Sequence, residues 1–255
     1  DISSETINTI DSKIDNLELL MNEVKDTSLN YQVSSITGGL TQSTIYTDID
    51  FTNVGSTSKI YNTQNVIDKN NSTYAEVDQN VYTSDDGGYT GSETNGEHIN
   101  IYFPVALQLT DITITNASSS ETVTVQKYSD GLYPSLEDSS QSKNKFYAKR
   151  IAVYGNNSSG FTSLGTIENT ENGTSLTISD SGEYTSIRLV ISQISNIEYT
   201  YEHYYYDTSF NPVLGTTTTT IKTRTKTDYM KHNAFIAKFS VNGLSTQQVD
   251  GYSIT

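Results

Sequence analysis

Tyrosine is concentrated between Ile197 and Tyr206, where several of the 19 tyrosines surround a single histidine. A pyranose ring packs on flat aromatic faces that lie beside groups able to make hydrogen bonds. Tyrosine supplies both, and the chain has no tryptophan. We therefore predict a ligand-binding surface built from this stretch and one tyrosine of a long loop. Its candidate residues are Tyr199, Tyr201, His203, Tyr205 and Tyr133.

These tyrosines have two other possible uses, which the sequence leaves open. Aromatic side chains pair across neighbouring strands of a sheet. They also fill interfaces between protein chains, because their rings are large, rigid and amphipathic. Under either alternative the stretch would stabilise the hairpin or an oligomer and would bind no ligand.

Catalytic signatures are missing from the sequence. His98, His203 and His232 are the only histidines, and no two of them stand at a metal-binding spacing. There is no Gly-x-Ser-x-Gly nucleophile motif and no phosphate-binding loop. The sequence leaves open whether two of the 30 acidic residues form a carboxylate pair suited to glycoside cleavage. We predict that the chain is not an enzyme.

Composition narrows the classes of partner. The net charge of −15 argues against binding to nucleic acid or to an anionic membrane, because both need basic patches. No apolar run is long enough to span a bilayer, and no signal peptide is recognisable. The absence of cysteine excludes disulfides and favours a bacterial or viral source. The chain begins with Asp1, as expected for a piece of a longer protein.

The first 28 residues carry a heptad repeat. Their apolar residues alternate spacings of three and four, and isoleucine at both core positions favours three or four strands. We predict that residues 1–28 form the stalk of a parallel homotrimer; the alternative is an amphipathic helix packed on its own domain. The oligomerisation residues are Ile7, Ile10, Ile14, Leu17, Met21 and Val24.

From Thr41 onward the pattern changes to the alternation of β-strands. The sequence predicts about eight strands and no further strong helix, which indicates an antiparallel sandwich of two sheets. The segments predicted to lack strands are the connector Asp26–Leu40 and the loop Ser129–Lys145. Pro104 and the pair Asn242–Gly243 are expected to end strands.

A projecting hairpin is predicted at residues 196–228. Its first arm is rich in tyrosine and its second in threonine, with Asn211–Pro212 supplying the turn. Alternation places Lys222, Arg224 and Lys226 on one face of the second arm. We expect them to form cross-strand charge pairs with Glu198 and Glu202 of the first arm.

The order of the strand motifs resembles the discoidin-like family, the galactose-binding-like jelly rolls found in coagulation-factor C domains and in sugar-binding modules. The resemblance covers Tyr61 to Gly243 without the hairpin. It rests on many short motifs in the same order, which are Asn65–Tyr74, Ile99–Pro104, Leu109–Ile114, Ala148–Gly155, Tyr184–Ile191 and Ala234–Gly243.

The resemblance implies a structural Ca²⁺ ion in the loop from Asp68 to Thr73, whose side-chain ligands would be Asp68, Asn71 and Thr73. Lys238 departs from the family pattern, because a glutamate commonly helps to close the calcium site there. The alternative for the loop is an Asx turn without metal. Arg150 and Arg188 fall on strands and are interpreted as structural, so no sugar site is carried over from the family.

We divide the chain into a coiled-coil stalk (1–28), a connector with the first strand (29–60) and a mainly β, galactose-binding-like sandwich (61–255). A stalk followed by a jelly roll also resembles bacteriophage tail fibres and tailocin fibres. We therefore predict an extracellular virion protein that attaches, as a homotrimer beside other virion proteins, to a bacterial surface glycan. The alternatives are a structural fibre or decoration subunit, and a carbohydrate-binding module of a bacterial secreted protein.

Overall fold

The computed structural model describes residues 30–36, 40–89 and 96–249, with side chains from 43 to 89 and from 96 to 246. The predicted stalk (1–28) lies outside these residues. The same is true of its heptad positions Ile7, Ile10, Ile14, Leu17, Met21 and Val24. No helix within the described ranges is long and apolar enough to cross a membrane.

Strands dominate the described residues. In chain order they are β1 (Asn30–Ile36), β2 (Leu40–Tyr46), β3 (Asn53–Ser56), β4 (Ile60–Tyr61), β5 (Ala75–Val77), β6 (Glu97–Asn116), β7 (Thr122–Tyr128), β8 (Leu136–Ser142), β9 (Ala148–Asn157), β10 (Gly160–Glu168), β11 (Thr174–Thr177), β12 (Glu183–Ile194), β13 (Ile197–Asn211), β14 (Thr216–Met230) and β15 (Ala234–Val249). Short 3-10 helices lie at Thr63–Val66, Gln79–Val81 and Lys143–Lys145.

Strand β6 organises the body, because its two halves belong to different layers. The first half pairs with β3 and β12, and β12 leads on to β9 and β10. The second half pairs with β11 and β15, and β15 leads on to β2 and β1. The short strands β5 and β4 extend the layer beside the start of β15. All these pairings are antiparallel.

Both layers point alternate residues into one core. Ile99 and Ile101 come from the first half of β6, Leu189 from β12, and Phe239 and Val241 from β15; all are fully buried in the same cluster. Side chains of a strand alternate between its two faces, so each layer covers the other with its apolar face. The predicted antiparallel sandwich is confirmed, and its assignment to the galactose-binding-like jelly rolls stays a prediction.

Pro104 does not end a strand, so this prediction was wrong. Strand β6 continues through it from Glu97 to Asn116. Proline lacks the N–H group that a sheet ladder uses. The pairing of β6 with β12 skips from Tyr102 to Leu107. Pro104 lies between these two residues, so it does not need an N–H group for a hydrogen bond to β12.

Other strand boundaries also differ from the predictions. Strand β1 lies inside the predicted connector, and β8 lies inside the predicted loop Ser129–Lys145. Strand β8 is polar after Leu136, so no alternation of apolar and polar residues marks it. In β1 the alternation is short, because only Tyr31 and Val33 alternate with polar residues. Strand β15 continues past Asn242–Gly243, because a shift in its register with β6 absorbs this turn-like pair inside the strand.

Two hairpins extend from the sandwich, one formed by β7 and β8 and the other by β13 and β14. Their roots share a second core, in which Phe146, Met230 and Phe235 are buried and Val123, Ile197 and Tyr199 pack at the edge. This core fixes the start of each hairpin to the body. The far half of the β13–β14 hairpin is exposed on both faces.

The β13–β14 hairpin agrees with the sequence prediction but has longer arms. Asn211 makes its turn, because the side-chain oxygen accepts hydrogen bonds from the backbone N–H groups of Val213 and Leu214. Gly215 closes the turn with a left-handed φ of 59°. The turn thereby sets the register of the whole hairpin.

Candidate functional site

The register of the β13–β14 hairpin sorts its residues onto two faces. One face, which we call the tyrosine face, carries four of the five residues predicted to bind ligand. Each of them stands opposite a charged residue of β14. The pairs are Tyr199 with Asp228, Tyr201 with Lys226, His203 with Arg224, and Tyr205 with Lys222.

The expected charge pairs of Glu198 and Glu202 are absent from the hairpin, so this prediction was wrong. The turn joins odd-numbered residues of β13 to even-numbered residues of β14. Glu202 therefore faces Thr225, and Glu198 faces Tyr229, on the side away from the lysines and the arginine. The cations share their face with the aromatic rings instead.

Tyr128 of β7 anchors the base of the tyrosine face. Its ring stacks on that of Tyr201, with 5.3 Å between the ring centres. Its backbone N–H donates a hydrogen bond of 2.7 Å to the Tyr199 hydroxyl oxygen. A tyrosine phenol is protonated at neutral pH, so Tyr199 has its own O–H to donate. Burial raises its pKa further.

The loop that carries Tyr133 is attached to the free edge of β13. Gly131 of this loop donates its N–H to the Glu202 carbonyl and accepts from the Tyr204 N–H, both at 2.9 Å. The Tyr133 side chain is 84% exposed. The structure thus brings the loop beside His203, while the Tyr133 ring extends into solvent.

A shallow groove of about 810 Å³, which we call the basal groove, adjoins the tyrosine face at Asp228. The amide oxygen of Gln79 in its lining is buried and accepts no hydrogen bond among the described residues. A buried amide oxygen normally accepts a hydrogen bond. A ligand that donates one to Gln79 from the groove would therefore gain binding energy. The groove is also lined by the polar side chains of Asn80, Gln126, Asp138 and His232.

Positive charge on the tyrosine face is only partly compensated. Lys222 forms an ion pair with Asp207 of the neighbouring strand. Neither Arg224 nor Lys226 forms an ion pair with any residue that the structure describes. The face therefore combines aromatic rings, a hydroxyl donor and two free cations, which is a set of groups for binding polar ligands with an apolar face.

The loop from Asp68 to Thr73 brings two of its three predicted calcium ligands together. The Thr73 hydroxyl donates to Asp68 Oδ2 at 2.6 Å and to the Asn70 carbonyl at 3.0 Å. Hard oxygen ligands that converge in this way suit calcium. Asn71 is exposed, and the described residues contain no cluster of three or more His, Cys, Asp or Glu side chains.

Lys238 lies where the family pattern has a glutamate, and it binds Asp48 at 2.9 Å. Lys69 of the Asp68–Thr73 loop binds Asp50 at 2.5 Å and adopts a left-handed φ of 57°. The loop therefore has the hydrogen bonds of an Asx turn, which is the alternative that the sequence left open. Calcium stays a prediction.

No protein-family model and no curated protein matches the chain. Solved structures do match. A family 32 carbohydrate-binding module of Clostridium perfringens NanJ, in complex with galactose, is 13% identical with a TM-score of 0.39; the match covers 76% of this chain and 93% of that one. Two such modules of Clostridium perfringens ZmpB, in complex with GalNAc, are 10% identical over 78% of this chain and 36% of theirs, with a TM-score of 0.42.

A family 89 glycoside hydrolase of Clostridium perfringens is 14% identical, with a TM-score of 0.38 over 75% of this chain. This chain spans 14% of that enzyme's length. All three TM-scores lie below 0.5, so these likenesses decide neither the fold nor the function of the chain.

Sequence reasoning missed the basal groove, whose lining comes from four separate segments. Gln79 and Asn80 lie on a 3-10 helix, Gln126 and Asp138 on the β7–β8 hairpin, and His232 after β14. Each is an ordinary polar residue in the sequence, and only the packing of the two hairpin roots brings them together.

Proposed function

We propose that the chain is a non-catalytic glycan-binding domain whose ligand lies on the tyrosine face and extends into the basal groove. The observation that carries the proposal is the row of Tyr201, His203 and Tyr205, half-buried or exposed, each opposite a cation. Rings at every second residue of a strand stand about 6.8 Å apart, a spacing over which an extended oligosaccharide can contact several of them.

The chemistry of both surfaces fits a saccharide better than an apolar ligand. Aromatic rings cover the apolar face of a pyranose, and amides and carboxylates bind its hydroxyl groups. The tyrosine face supplies the rings. Asn80, Gln126 and Asp138 of the basal groove supply the planar hydrogen-bonding groups.

An array of immobilised bacterial polysaccharides, probed with the full chain, tests this proposal. We expect retention on a small group of related saccharides and release by the free oligosaccharide. Retention on no saccharide, with binding to a protein instead, would overturn it.

We further propose that the domain is displayed by a homotrimeric phage or tailocin fibre, extracellular on the virion. Two observations support this context: the heptad repeat of residues 1–28, and the exposed Tyr206, Phe210 and Ile221 of the far hairpin. An isolated two-stranded hairpin is marginal in water. Packing against other virion proteins would cover these side chains, which also suits a structural fibre subunit.

Light scattering of the intact chain and of a chain lacking residues 1–28 tests the fibre context. We expect a trimer that becomes a monomer on truncation, because the heptad positions hold the copies together. A monomer in both forms would contradict the fibre and would favour a carbohydrate-binding module of a secreted protein.

A structural calcium ion bound by Asp68, Asn71 and Thr73 is a further proposal. A ligand that binds only the folded state raises its stability. We expect millimolar calcium to raise the melting temperature by roughly 3–6 °C over chelator. The rise should vanish in Asp68→Asn and persist in Asp50→Asn, which changes a carboxylate beside the same loop. Equal melting temperatures with calcium and with chelator would contradict this site.

A further inference from the structure

The outer face of the layer formed by β3, β6, β12, β9 and β10 carries Arg188, an arginine held by an amide and an aromatic ring. Asn100, Arg188 and Tyr154 lie side by side on three neighbouring strands, because Arg188 pairs with both of the others. Ile187 and Leu189, on either side of Arg188, point into the core. Strand alternation therefore directs Arg188 and its two neighbours away from the core.

Two contacts fix the plane of the Arg188 guanidinium. Its Nε donates a hydrogen bond of 2.8 Å to Asn100 Oδ1. Its central carbon lies 4.1 Å from the ring centre of Phe161, a residue of β10. Neither an amide oxygen nor an aromatic ring carries a formal charge, so the positive charge of Arg188 is not neutralised.

Arg188 forms no ion pair with the residues that the structure describes, and only its Nε makes a hydrogen bond to them. Its two terminal nitrogens are left for other acceptors. A guanidinium held in this way presents a rigid fork, which matches the two oxygens of a carboxylate. Less conformational freedom is lost on binding, because the protein has already fixed the side chain.

Arg150 provides a comparison within the same layer, on the same face of β9 as Tyr154. Its Nε donates a hydrogen bond of 2.8 Å to Glu168 Oε1. The cation of Arg150 is therefore paired with a carboxylate on the next strand. At Arg188 an amide occupies the corresponding place, which orients the guanidinium without neutralising it.

Exposed rings accompany Arg188 on this face. Phe161 is 50% exposed, and Tyr102, two residues along β6 from Asn100, is 42% exposed. Between them, the Asn156 side chain donates a hydrogen bond to Ser186 Oγ. The two rings lie on either side of these polar groups, and a ring beside amides suits the apolar face of a sugar.

We propose that Arg188, Asn100, Phe161 and Tyr102 form a second binding site, separate from the tyrosine face, for a saccharide that carries a carboxylate. Both carboxylate oxygens accept hydrogen bonds from the Arg188 fork, while successive rings of the saccharide pack beside Phe161 and Tyr102. A neutral sugar leaves the arginine charge without a partner and binds less tightly. The charge of Arg188 decides the class of ligand here.

Calorimetric titration with α-1,4-linked digalacturonate and with the matching digalactose tests this site. The two sugars differ only in one group on each ring, which is a carboxylate in digalacturonate and a hydroxymethyl in digalactose. This is the group that Arg188 would contact. We expect the full chain to bind digalacturonate at least tenfold more tightly, with an affinity that falls as salt is added. The same preference is expected in the Tyr201→Ala/Tyr205→Ala variant, which separates this site from the tyrosine face.

Variants of the two arginines complete the test. Arg188→Gln should abolish the preference for digalacturonate, and Arg188→Lys should leave a smaller preference, because an ammonium keeps the charge but loses the fork. Arg150→Gln, the matched control, should leave it unchanged. Equal binding of both sugars, no binding of digalacturonate, or full binding by a folded Arg188→Gln variant would overturn the second site. The second site would also be overturned if the Tyr201→Ala/Tyr205→Ala variant lost binding of digalacturonate while the arginine variants kept it.

Discussion

Replacing Tyr201 and Tyr205 together by alanine is expected to weaken binding of an array-selected glycan by about 100-fold. Full burial of an aromatic side chain contributes about 1.5–3 kcal/mol. A sugar covers one side of a ring, so we assign the lower end of this range to each tyrosine. A contribution of 1.4 kcal/mol corresponds to a tenfold change in affinity. Titration of both proteins with the same oligosaccharide measures the effect.

The opposite face of the hairpin supplies the control for this variant. Tyr204 and Tyr206 stand opposite Thr223 and Ile221, on the face that does not carry the cations. Replacing both by alanine removes the same number of rings from the same strand. Binding should stay within twofold of the parent protein. Equal losses in the two double variants would mean that the hairpin acts through its stability, since no face would be distinguished.

Replacing Phe239 by alanine is expected to cost about 3–5 kcal/mol of unfolding free energy. Phe239 is fully buried on β15, opposite Ile114 of the long strand β6, in the core shared by both layers. A domain is stable by about 5–15 kcal/mol, so this one change removes a large part of the total. Urea denaturation followed by circular dichroism measures the loss.

Phe210→Ala is the matched control for Phe239→Ala. Phe210 lies on the far part of the hairpin and is 64% exposed. The same atoms are deleted from a site that is already in contact with water, so the unfolding free energy should change by less than about 0.5 kcal/mol. A similar loss in both variants would show that the far hairpin is packed in solution, and would contradict the burial assigned to each site.

The sandwich was predictable because strand alternation is a local property of the sequence. Stretches such as Ile99 to Phe103 repeat every second residue, and this period identifies a half-buried strand without knowledge of its neighbours. Pro104 was misinterpreted, because its effect depends on where the partner strand skips a pairing. Strand β8 was missed, because its polar residues depend on β7 for their pairing and carry no apolar pattern.

The candidate site was predictable in part for the same reason. A single strand brings Tyr199, Tyr201, His203 and Tyr205 to one face by alternation alone. Their partners in β14 depend on the register of the hairpin, which the turn at Asn211 sets. A slip of one residue would place mainly threonines of β14 opposite them instead of the charged residues. The basal groove and the Arg188 surface join residues that are far apart in the chain, so no local pattern in the sequence marks either of them.

Ring-labelled tyrosine NMR of the full chain, titrated with the array-selected glycan, tests the central claim most directly. Single Tyr→Phe substitutions assign the signals. We predict that the ring signals of Tyr201 and Tyr205 shift on binding, while those of Tyr204 and Tyr206 do not. A bound glycan that shifts only the signals of Tyr204 and Tyr206, or none of the four, would contradict the claim that the tyrosine face is the binding site.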